Sequence, residues 1–247
     1  MPLLATRGVA TSIGYGALLD SKPEPPTPPS IGQLYKGGYF FGVINDGGTL
    51  YELIAAPRMV GETTTQYATG GTIGAEDNTS VTDGWTNTNV NTSTARPAFR
   101  WARSLNINGY TDWYVPARDE MELMYRNLKP VVNNNSTGNR SYTTQQGDTV
   151  FTQGNNQNSV PIGEAYTTDN PPVCPDPMFQ VAASGSEALV AATGNYNRLT
   201  STRYLGVANT VLYQSMLSGL QGTTAATGIT NQLRVRAIRR EVRPVYP

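Results

Sequence analysis

Histidine is absent from this chain of 247 residues, and cysteine occurs only once, as Cys174. Without histidine there is no Ser-His-Asp or Cys-His nucleophilic pair, no histidine-ligated zinc and no imidazole that titrates near neutral pH. A single cysteine excludes an intrachain disulfide, a CxxC redox pair and a cysteine-ligated metal cluster. These absences disfavour the commonest enzymes and metalloproteins, and we expect neither a metal nor a cofactor.

Charge is sparse and balanced, with 18 Lys+Arg against 18 Asp+Glu and 15% charged residues in all. No run of basic residues occurs, so neither nucleic acid nor an anionic membrane surface is the expected partner. No apolar run approaches the roughly 18 residues of a membrane-spanning helix. The first residues, 1–7, lack a cationic leader followed by an apolar stretch, so we expect no secretory signal and synthesis in the cytoplasm.

Neutral polar residues are abundant, because Asn, Thr, Ser and Gln together account for 75 residues. Hydrophobic residues make up 38% of the chain, and the 25 glycines bring the total near the roughly 45–50% of globular proteins. Glycine and proline together number 42, below the level that signals low complexity. We therefore predict a folded domain whose surface is built mainly from uncharged hydrogen-bonding groups.

The chain is expected to divide near residue 30. Residues 1–21 are small and show little periodicity, and residues 22–30 contain five prolines within positions 23–29. Such a run favours polyproline II at roughly 3.1 Å per residue, which makes a semi-rigid spacer of about 20–25 Å. One interpretation is a disordered tail with a linker. The favoured one is a short anchor that docks on a larger assembly and holds a main domain, residues 31–247, away from it.

Residues typical of β-strands begin at position 38. Residues 38–44 and 49–57 are aromatic and β-branched and flank Asn-Asp-Gly-Gly, a pattern that predicts a β-hairpin. Residues 61–94 are rich in Thr, Asn and Gly around a lone tryptophan, Trp85, and predict a long surface loop. Its acidic clusters at 76–78 and 82–84 fit no EF-hand spacing, so turns are preferred to calcium sites.

Two amphipathic segments predict helices, at residues 97–105 and 118–128. Asp119, Glu120 and Glu122 stand at the beginning of the second, where the helix dipole favours acids. We interpret them as solvated groups of the first turn rather than as catalytic acids or bases. Residues 131–177 predict a long loop, in which Cys174 is expected to be an ordinary surface or half-buried thiol.

The last quarter of the chain alternates as β-strands do, at residues 211–217 and 233–240. Five arginines lie between positions 234 and 243. A phosphate-binding strip is one interpretation. Because the arginines alternate within a predicted strand and acids elsewhere balance them, a solvated or subunit-interface face is the favoured one.

Four blocks carry a family resemblance. Residues 112–125, Asp-Trp-Tyr-Val-Pro-Ala-Arg-Asp-Glu-Met-Glu-Leu-Met-Tyr, resemble a W-x-L-P-x-x-x-E-L-x-x-L-Y signature. Residues 199–204, 213–219 and 233–240 stand, in the same order and spacing, where the later motifs of that family lie. The family is the C-type-lectin-like domain found in a bacterial collagen-like adhesin and in phage tail-fibre-like proteins. The resemblance covers about residues 37–243.

The resemblance implies an α+β fold, a C-type-lectin-like domain with a small twisted antiparallel sheet, two helices and long loops, here with an extended N-terminal arm. Arg203 stands where the family has an acid, and Leu199 where it has an aromatic residue. The EPN, QPD and WND motifs of calcium-dependent sugar sites are missing. The related formylglycine-generating enzymes use paired cysteines, which this chain lacks, so that activity is disfavoured.

By the same resemblance, the expected function is that of a phage virion protein, a tail-fibre or spike-like subunit whose domain binds a host cell-surface glycan or protein. The leader looks like an N-terminal tag of phage virion proteins. It would bind other virion proteins through the following candidate anchoring residues: Arg7, Gly8, Gly14, Tyr15 and Gly16. The receptor-binding candidates are polar or aromatic residues: Trp85, Asn195, Tyr196, Asn197, Arg203 and Tyr204. Core packing is the alternative role for Tyr204.

Three functional hypotheses remain open from the sequence. The first is the receptor-binding subunit, expected to be a homo-oligomer and, by resemblance, a trimer. The second is a purely structural decoration, neck or baseplate subunit whose domain contacts only other virion proteins. The third, a glycan hydrolase, requires two facing acids, and the sequence offers no convincing pair. We expect a virion protein without enzymatic activity and without membrane insertion.

Overall fold

The structure is a computed structural model and describes residues 27–69, 73, 80–91, 93–141, 150–189, 196–205, 207, 209–225 and 233–245. Residues Pro29–Arg243 form one compact unit. The predicted anchor of residues 1–21, with Arg7, Gly8, Gly14, Tyr15 and Gly16, lies outside the described residues. So does the receptor candidate Asn195.

The first of two large sheets has the strand order β1 (Leu34–Tyr35), β2 (Gly38–Asp46), β3 (Thr49–Ala55) and β12 (Ile238–Val242). A short strand, β7 (Ser159–Val160), also pairs with β2, and all pairs are antiparallel. In the β2–β3 hairpin, Asp46 faces Thr49 across Gly47 and Gly48, whose φ angles are 59° and 93°. Two successive positive φ angles are typical of tight hairpin turns and favour glycine. The predicted hairpin is confirmed.

The second large sheet has the order β10 (Gln221–Ala225), β9 (Thr210–Ser215), β8 (Asn197–Tyr204), β11 (Leu233–Arg236) and β4 (Glu62–Thr65). Its pairs are antiparallel except β8–β11, which is parallel. A separate two-stranded ladder joins β5 (Asn139–Ser141) to β6 (Val150–Thr152). The fold is mixed α and β and mostly sheet, and its two five-stranded sheets are more extensive than the small antiparallel sheet that the resemblance implies.

The chain passes from the second sheet to the first at Ala237. Its amide donates to the Gly61 carbonyl, and its carbonyl accepts from the Ala56 amide, both at 2.9 Å. Residues 233–240, predicted as one strand, therefore form two strands in different sheets. Val235 and Ile238 consequently pack in different hydrophobic clusters.

Four α-helices occur among the described residues: α1 (Arg58–Gly61), α2 (Gly84–Val90), α3 (Pro97–Arg103) and α4 (Arg118–Leu128). The predicted helices at 97–105 and 118–128 are confirmed as α3 and α4. The predicted loop at 61–94 is wrong in part, because it contains β4 and α2. Asp83 caps α2 by accepting hydrogen bonds from the amide and hydroxyl of Thr86, at 2.8 and 2.6 Å. None of the described helices is long and apolar enough to cross a membrane.

Helix α4 lies against the first sheet, where Met121, Met124 and Leu128 join Phe41 and Leu53 in the largest hydrophobic cluster. Each of these side chains is fully buried. The burial of such apolar faces contributes about 25 cal/mol per Å². The first turn of α4 is therefore held at a fixed place beside the sheet.

Two of the five arginines near the C-terminus, Arg236 and Arg239, are buried and do not lie on the solvated face that was expected. Arg236 is fully buried and donates to Glu187 and Glu62. Arg239 is 3% exposed and donates to Asp112 through two nitrogens, at 2.8 and 2.9 Å. Acidic residues of distant segments pair with both arginines, so their side chains are buried.

Candidate functional site

A cleft of about 430 Å³ opens beside the first turn of α4 and the β5–β6 ladder. Half of its described lining side chains are polar and uncharged. The described lining residues are Val81, Arg118, Asp119, Asn139, Val150, Phe151, Thr152, Asn155, Gln157 and Asn158. The volume falls within the range of small-molecule sites.

A buried ion pair contributes to the lining of the cleft. Arg118 is 8% exposed and Asp119 is 2% exposed. The Nε of Arg118 donates to Oδ1 of Asp119 at 2.5 Å, and Nδ2 of Asn158 donates to Oδ2 of Asp119 at 2.8 Å. Both carboxylate oxygens are therefore engaged, and the charge of each partner is matched within the site.

The pair is held by the start of α4. The amide of Arg118 donates to the hydroxyl of Thr202 in β8 at 3.0 Å, and that hydroxyl donates to the Ser80 carbonyl at 2.8 Å. The amide of Asp119 donates to the Val81 carbonyl at 2.9 Å. Since α4, β8 and the segment before α2 are joined here, this side of the cleft is preorganised.

Asn156 shapes the opposite wall and is almost fully buried. Its Nδ2 donates to the Asp119 carbonyl at 2.9 Å, and its Oδ1 accepts from the amides of Asn158 and Ser159 at 3.2 and 3.1 Å. The residues on either side of it, Asn155 and Gln157, are exposed and line the cleft. The buried side chain of Asn156 thus fixes the segment that exposes the side chains of Asn155 and Gln157 to solvent.

Phe151 supplies an aromatic surface. It is half-buried in β6, and the guanidinium carbon of Arg118 lies 5.6 Å from the centre of its ring. In the same ladder, the hydroxyl of Thr152 donates to Oδ1 of Asn139 at 2.9 Å. The described lining residues therefore supply one aromatic ring, four amide side chains and one ion pair.

This arrangement can hold a polar ligand by hydrogen bonds and contact with an aromatic ring. Asp119 is the one carboxylate among the lining residues that the structure describes. In the described part of the chain, no group of three or more His, Cys, Asp or Glu side chains is placed to hold a metal ion.

Glu120 and Glu122, predicted to be solvated, are buried at 0% and 1% exposure. Glu120 accepts hydrogen bonds from the hydroxyl of Tyr114 at 2.7 Å and from the amides of Ala117 and Gly84 at 2.7 and 3.2 Å. Burial raises the pKa of Glu120 to about 8, despite these bonds. The side chain ties α2 and α4 together and is absent from the cleft lining.

Glu122 has a similar structural role. It accepts hydrogen bonds from Arg126 at 3.0 Å, from Asn156 at 2.8 Å and from Tyr166 at 2.9 Å. Burial raises its pKa. The solvated interpretation is wrong because Gly84, Asn156 and Tyr166, which come from distant parts of the chain, bind these carboxylates together with nearby residues.

Cys174, expected at the surface or half-buried, is 4% exposed and belongs to the largest hydrophobic cluster. Burial raises the pKa of its thiol. A thiol with a raised pKa is less often the reactive thiolate at neutral pH, so the side chain behaves as a small apolar group.

The predicted receptor-binding residues do not come together in one site. Trp85 is 43% exposed on α2, and the Arg240 guanidinium carbon lies 5.9 Å from its ring. Tyr196 packs against the largest hydrophobic cluster. Asn197 begins β8, whereas Arg203 and Tyr204 end it, which separates the two ends by roughly 20 Å. None of these described residues lines the cleft.

Sequence reasoning missed Phe151, Arg118 and the amides of residues 155–158. A signal was present, since an aromatic residue precedes an amide-rich run by a few positions. Because residues 131–177 were interpreted only as loop, that run was given no role. Receptor binding by Trp85, Tyr196, Asn197, Arg203 and Tyr204 remains a prediction.

Comparison of the chain with models of protein families, with curated proteins and with solved structures finds no match.

Proposed function

We propose that the chain is a non-enzymatic virion protein, a tail-fibre or spike-like subunit that binds a host-surface receptor. Residues 31–247 present the receptor-binding surface, and residues 1–21 attach the subunit to other virion proteins. The four sequence blocks that resemble C-type-lectin-like domains support this proposal. The observation that carries it is the cleft, which joins an aromatic ring to a group of uncharged hydrogen-bonding side chains.

A C-type-lectin-like architecture is part of the proposal. The blocks that resemble the family fall on α4, β8, β9 and β11–β12. Strand β8 pairs with both β9 and β11, and α4 contacts β8 and β9. The family-like motifs on α4, β8, β9 and β11 are thus neighbours in the fold, as parts of one domain would be.

Binding rather than hydrolysis is favoured by the acids of the cleft. Hydrolysis of a glycosidic bond ordinarily uses two carboxyl groups that flank the bond. Among the described lining residues, Asp119 alone is an acid, and its oxygens are engaged by Arg118 and Asn158. The proposed subunit therefore retains its ligand unchanged.

The proposal can be tested by competition. The full chain is added to host cells before the particles that carry it, and adsorption is measured. We expect saturating protein to block adsorption. A double variant, Asn155→Ala with Gln157→Ala, should block weakly, because both altered side chains are exposed and line the cleft.

The matched control is Asn134→Ala, another exposed amide that lies outside the cleft lining. It should block as well as the unaltered chain. Failure of the unaltered chain to block at saturation would contradict receptor binding. The alternative, a decoration, neck or baseplate subunit, would then be supported if imaging of the particle shows the domain enclosed by other virion proteins.

A further inference from the structure

We propose that the side chains of Lys129 and Asn135 react with each other to form an amide bond, a covalent cross-link within the chain. Both residues belong to the segment that follows α4, and both are buried, at 3% and 6% exposure. A chain with one cysteine cannot close a disulfide within itself, whereas an amide between two side chains remains possible. The cross-link does not depend on the proposed receptor function.

The amine and the amide that would react are already in contact. Nζ of Lys129 lies 2.7 Å from Oδ1 of Asn135. Because a carbonyl bond is about 1.2 Å long, the carbonyl carbon Cγ lies at most about 3.9 Å from the amine. Groups that are poised to react are about 3–3.5 Å apart, so a small movement of one side chain is enough to join them.

The orientation of the Asn135 amide is fixed by its neighbours. Oδ1 accepts hydrogen bonds from the hydroxyl of Tyr125 and from the amine of Lys129, both at 2.7 Å. Nδ2 donates to three main-chain carbonyls. They are those of Thr167, Thr168 and Pro171, at 3.1, 3.3 and 3.0 Å. The opposite orientation would set donors against donors and acceptors against acceptors, so the carbonyl faces the amine.

The surroundings of Lys129 favour the neutral form of its amine. Its three acceptors are uncharged, namely the carbonyls of Asn133 and Pro171 and Oδ1 of Asn135. Within the described part of the chain, no acid forms a salt bridge with this amine. Burial lowers the pKa of the amine, although the charge of Asp169 acts in the opposite direction. A lysine that loses its proton more readily is a better nucleophile.

Tyr125 supplies a group that stabilises the transition state. Attack on Cγ places negative charge on Oδ1 of Asn135, the atom to which the fully buried Tyr125 hydroxyl donates at 2.7 Å. Burial and the charge of Glu122 raise the pKa of this hydroxyl, so it keeps its proton and remains a donor. A donor aimed at a developing oxyanion contributes about 10²–10³-fold to the rate of acyl transfer in enzymes.

The reaction is a transamidation, and its atoms balance without a further reactant. After the ammonium of Lys129 has released a proton to water, the lone pair of Nζ forms a bond to Cγ, and the bond between Cγ and Nδ2 breaks. A second proton passes from Nζ to Nδ2, which leaves as ammonia. Lys129 lines a pocket of about 250 Å³ together with the exposed Asn133 and Asp169, and this pocket offers the ammonia a route to solvent.

Intact-mass spectrometry of the full chain tests the cross-link. We expect the folded protein to lack one ammonia relative to the mass calculated from its sequence. The loss should be faster at pH 9 than at pH 7, because a larger share of the amine is then neutral. Protein kept unfolded in guanidinium chloride should retain the ammonia, since the fold brings the two side chains together.

Arginine-specific proteolysis locates the bond. Cleavage after Arg126 and Arg140 releases one peptide that contains both Lys129 and Asn135. Fragmentation of the cross-linked peptide should give no ions from main-chain cleavage between positions 129 and 135, because the side-chain bond still joins the two parts. Loss of ammonia at another asparagine, or conversion of Asn135 to aspartate in place of the cross-link, would overturn the inference.

Variants assign the reacting groups. Lys129→Arg removes the primary amine, and Asn135→Ala removes the carbonyl, so each should keep its calculated mass. Tyr125→Phe should slow the loss of ammonia at least about tenfold. Asn134→Ala, at a neighbouring exposed amide, is the control and should form the cross-link at the normal rate.

The unaltered chain decides the outcome even if a variant fails to fold. A mass that stays at the calculated value after prolonged incubation at pH 9 would overturn the cross-link. So would loss of ammonia from this peptide in Lys129→Arg or in Asn135→Ala. A normal rate in folded Tyr125→Phe would overturn the role of the hydroxyl. Adsorption of particles to host cells is a separate measurement, so failure of either proposal leaves the other intact.

Discussion

The Nη2 atom of Arg198 lies 3.2 Å from Oε2 of Glu62, although β11 separates their strands in the second sheet. Arg234 and Arg236 reach the same carboxylate at 2.7 and 3.5 Å. Arg198, Arg236 and Glu62 have buried side chains. One acid is therefore the shared counter-ion of three arginines of the sheet, and Glu187 is a second counter-ion for Arg236.

Glu62→Gln should destabilise the fold strongly. The substitution leaves buried guanidinium groups without their shared counter-ion, and the loss of one partner from a buried pair costs about 3–5 kcal/mol. The measurement is the free energy of unfolding in urea at pH 7. Glu164→Gln, at an exposed acid, is the control and should change stability little. Equal stability of the two variants would contradict a central role for Glu62.

The same carboxylate predicts a loss of stability in acid. Burial alone would raise the pKa of Glu62, but Arg198, Arg236 and Arg234 outweigh it and lower the pKa. Because the folded-state pKa lies below the unfolded one, its contribution is complete above the ordinary value of 4.5 and is lost as pH falls through the folded pKa. The stability difference between wild type and Glu62→Gln should therefore shrink below pH 4.5, which pH-dependent urea unfolding can show.

For Glu120 we predict the opposite dependence of stability on pH. Its pKa is raised from 4.5 to about 8, so the folded protein holds a proton over this interval that the unfolded chain releases. The stabilisation by the neutral carboxyl is complete below pH 4.5 and is lost as pH rises to about 8, at a cost of roughly 3–5 kcal/mol.

Glu120→Gln keeps a neutral side chain of the same shape and should flatten the decline in stability between pH 5 and 8. Glu122 also has a raised pKa and remains in this variant, so part of the decline will persist. Unfolding in urea at several pH values tests the difference. An unchanged slope would show that Glu120 is ionised in the folded protein across this range.

Local signals in the sequence accounted for the β2–β3 hairpin and for α3 and α4. The hairpin depends on adjacent glycines at positive φ, and α4 on apolar residues spaced to meet one sheet. The burial of Arg236 could not be predicted in this way, because its Nε donates to the carbonyl of Ala56, 180 residues earlier. Charged residues for which the local sequence predicts exposure are buried when residues of distant strands pair with them.

The cleft could not be predicted from the sequence for the same reason. Asn158 and Asp119, which meet in it, are 39 residues apart, and most of the chain between them, from residue 131 on, is predicted as loop. The composition did indicate a surface of neutral amides. The sequence does not show that Asn156 is buried. The contacts of this side chain decide which of the neighbouring amides are exposed.

Lys129→Met should loosen the segment that follows α4. Lys129 is 3% exposed, and its ammonium donates to the Asn133 carbonyl and to Oδ1 of Asn135, both at 2.7 Å, and to the Pro171 carbonyl at 3.1 Å. Methionine fills a similar volume without these bonds, at an expected loss of roughly 2–4 kcal/mol. Faster amide hydrogen exchange within the described residues 131–141 and 165–173 would show where the loss acts.

Asn133→Ala is the control for this prediction, because Lys129 contacts the backbone of Asn133 and not its side chain. The control should exchange as the unaltered protein does. Normal exchange in Lys129→Met would mean that the ammonium does not hold this segment.

Gly154→Ala should disrupt the connection between Phe151 and the amides of the cleft. Gly154 has a φ of 79°, and a Cβ there would lie 2.1 Å from the ring of the buried Tyr166. The strained backbone and the clash together are expected to cost more than about 2 kcal/mol.

Gly138→Ala separates the two causes, because Gly138 has a φ of 86° and open space around it. Its cost should be near 1 kcal/mol, that of backbone strain alone. Thermal unfolding compares the two variants, and equal losses would show that Tyr166 yields to the added methyl group. If Tyr166 does not yield, Gly154→Ala should also weaken any ligand of the cleft, whereas Gly138→Ala should weaken it less.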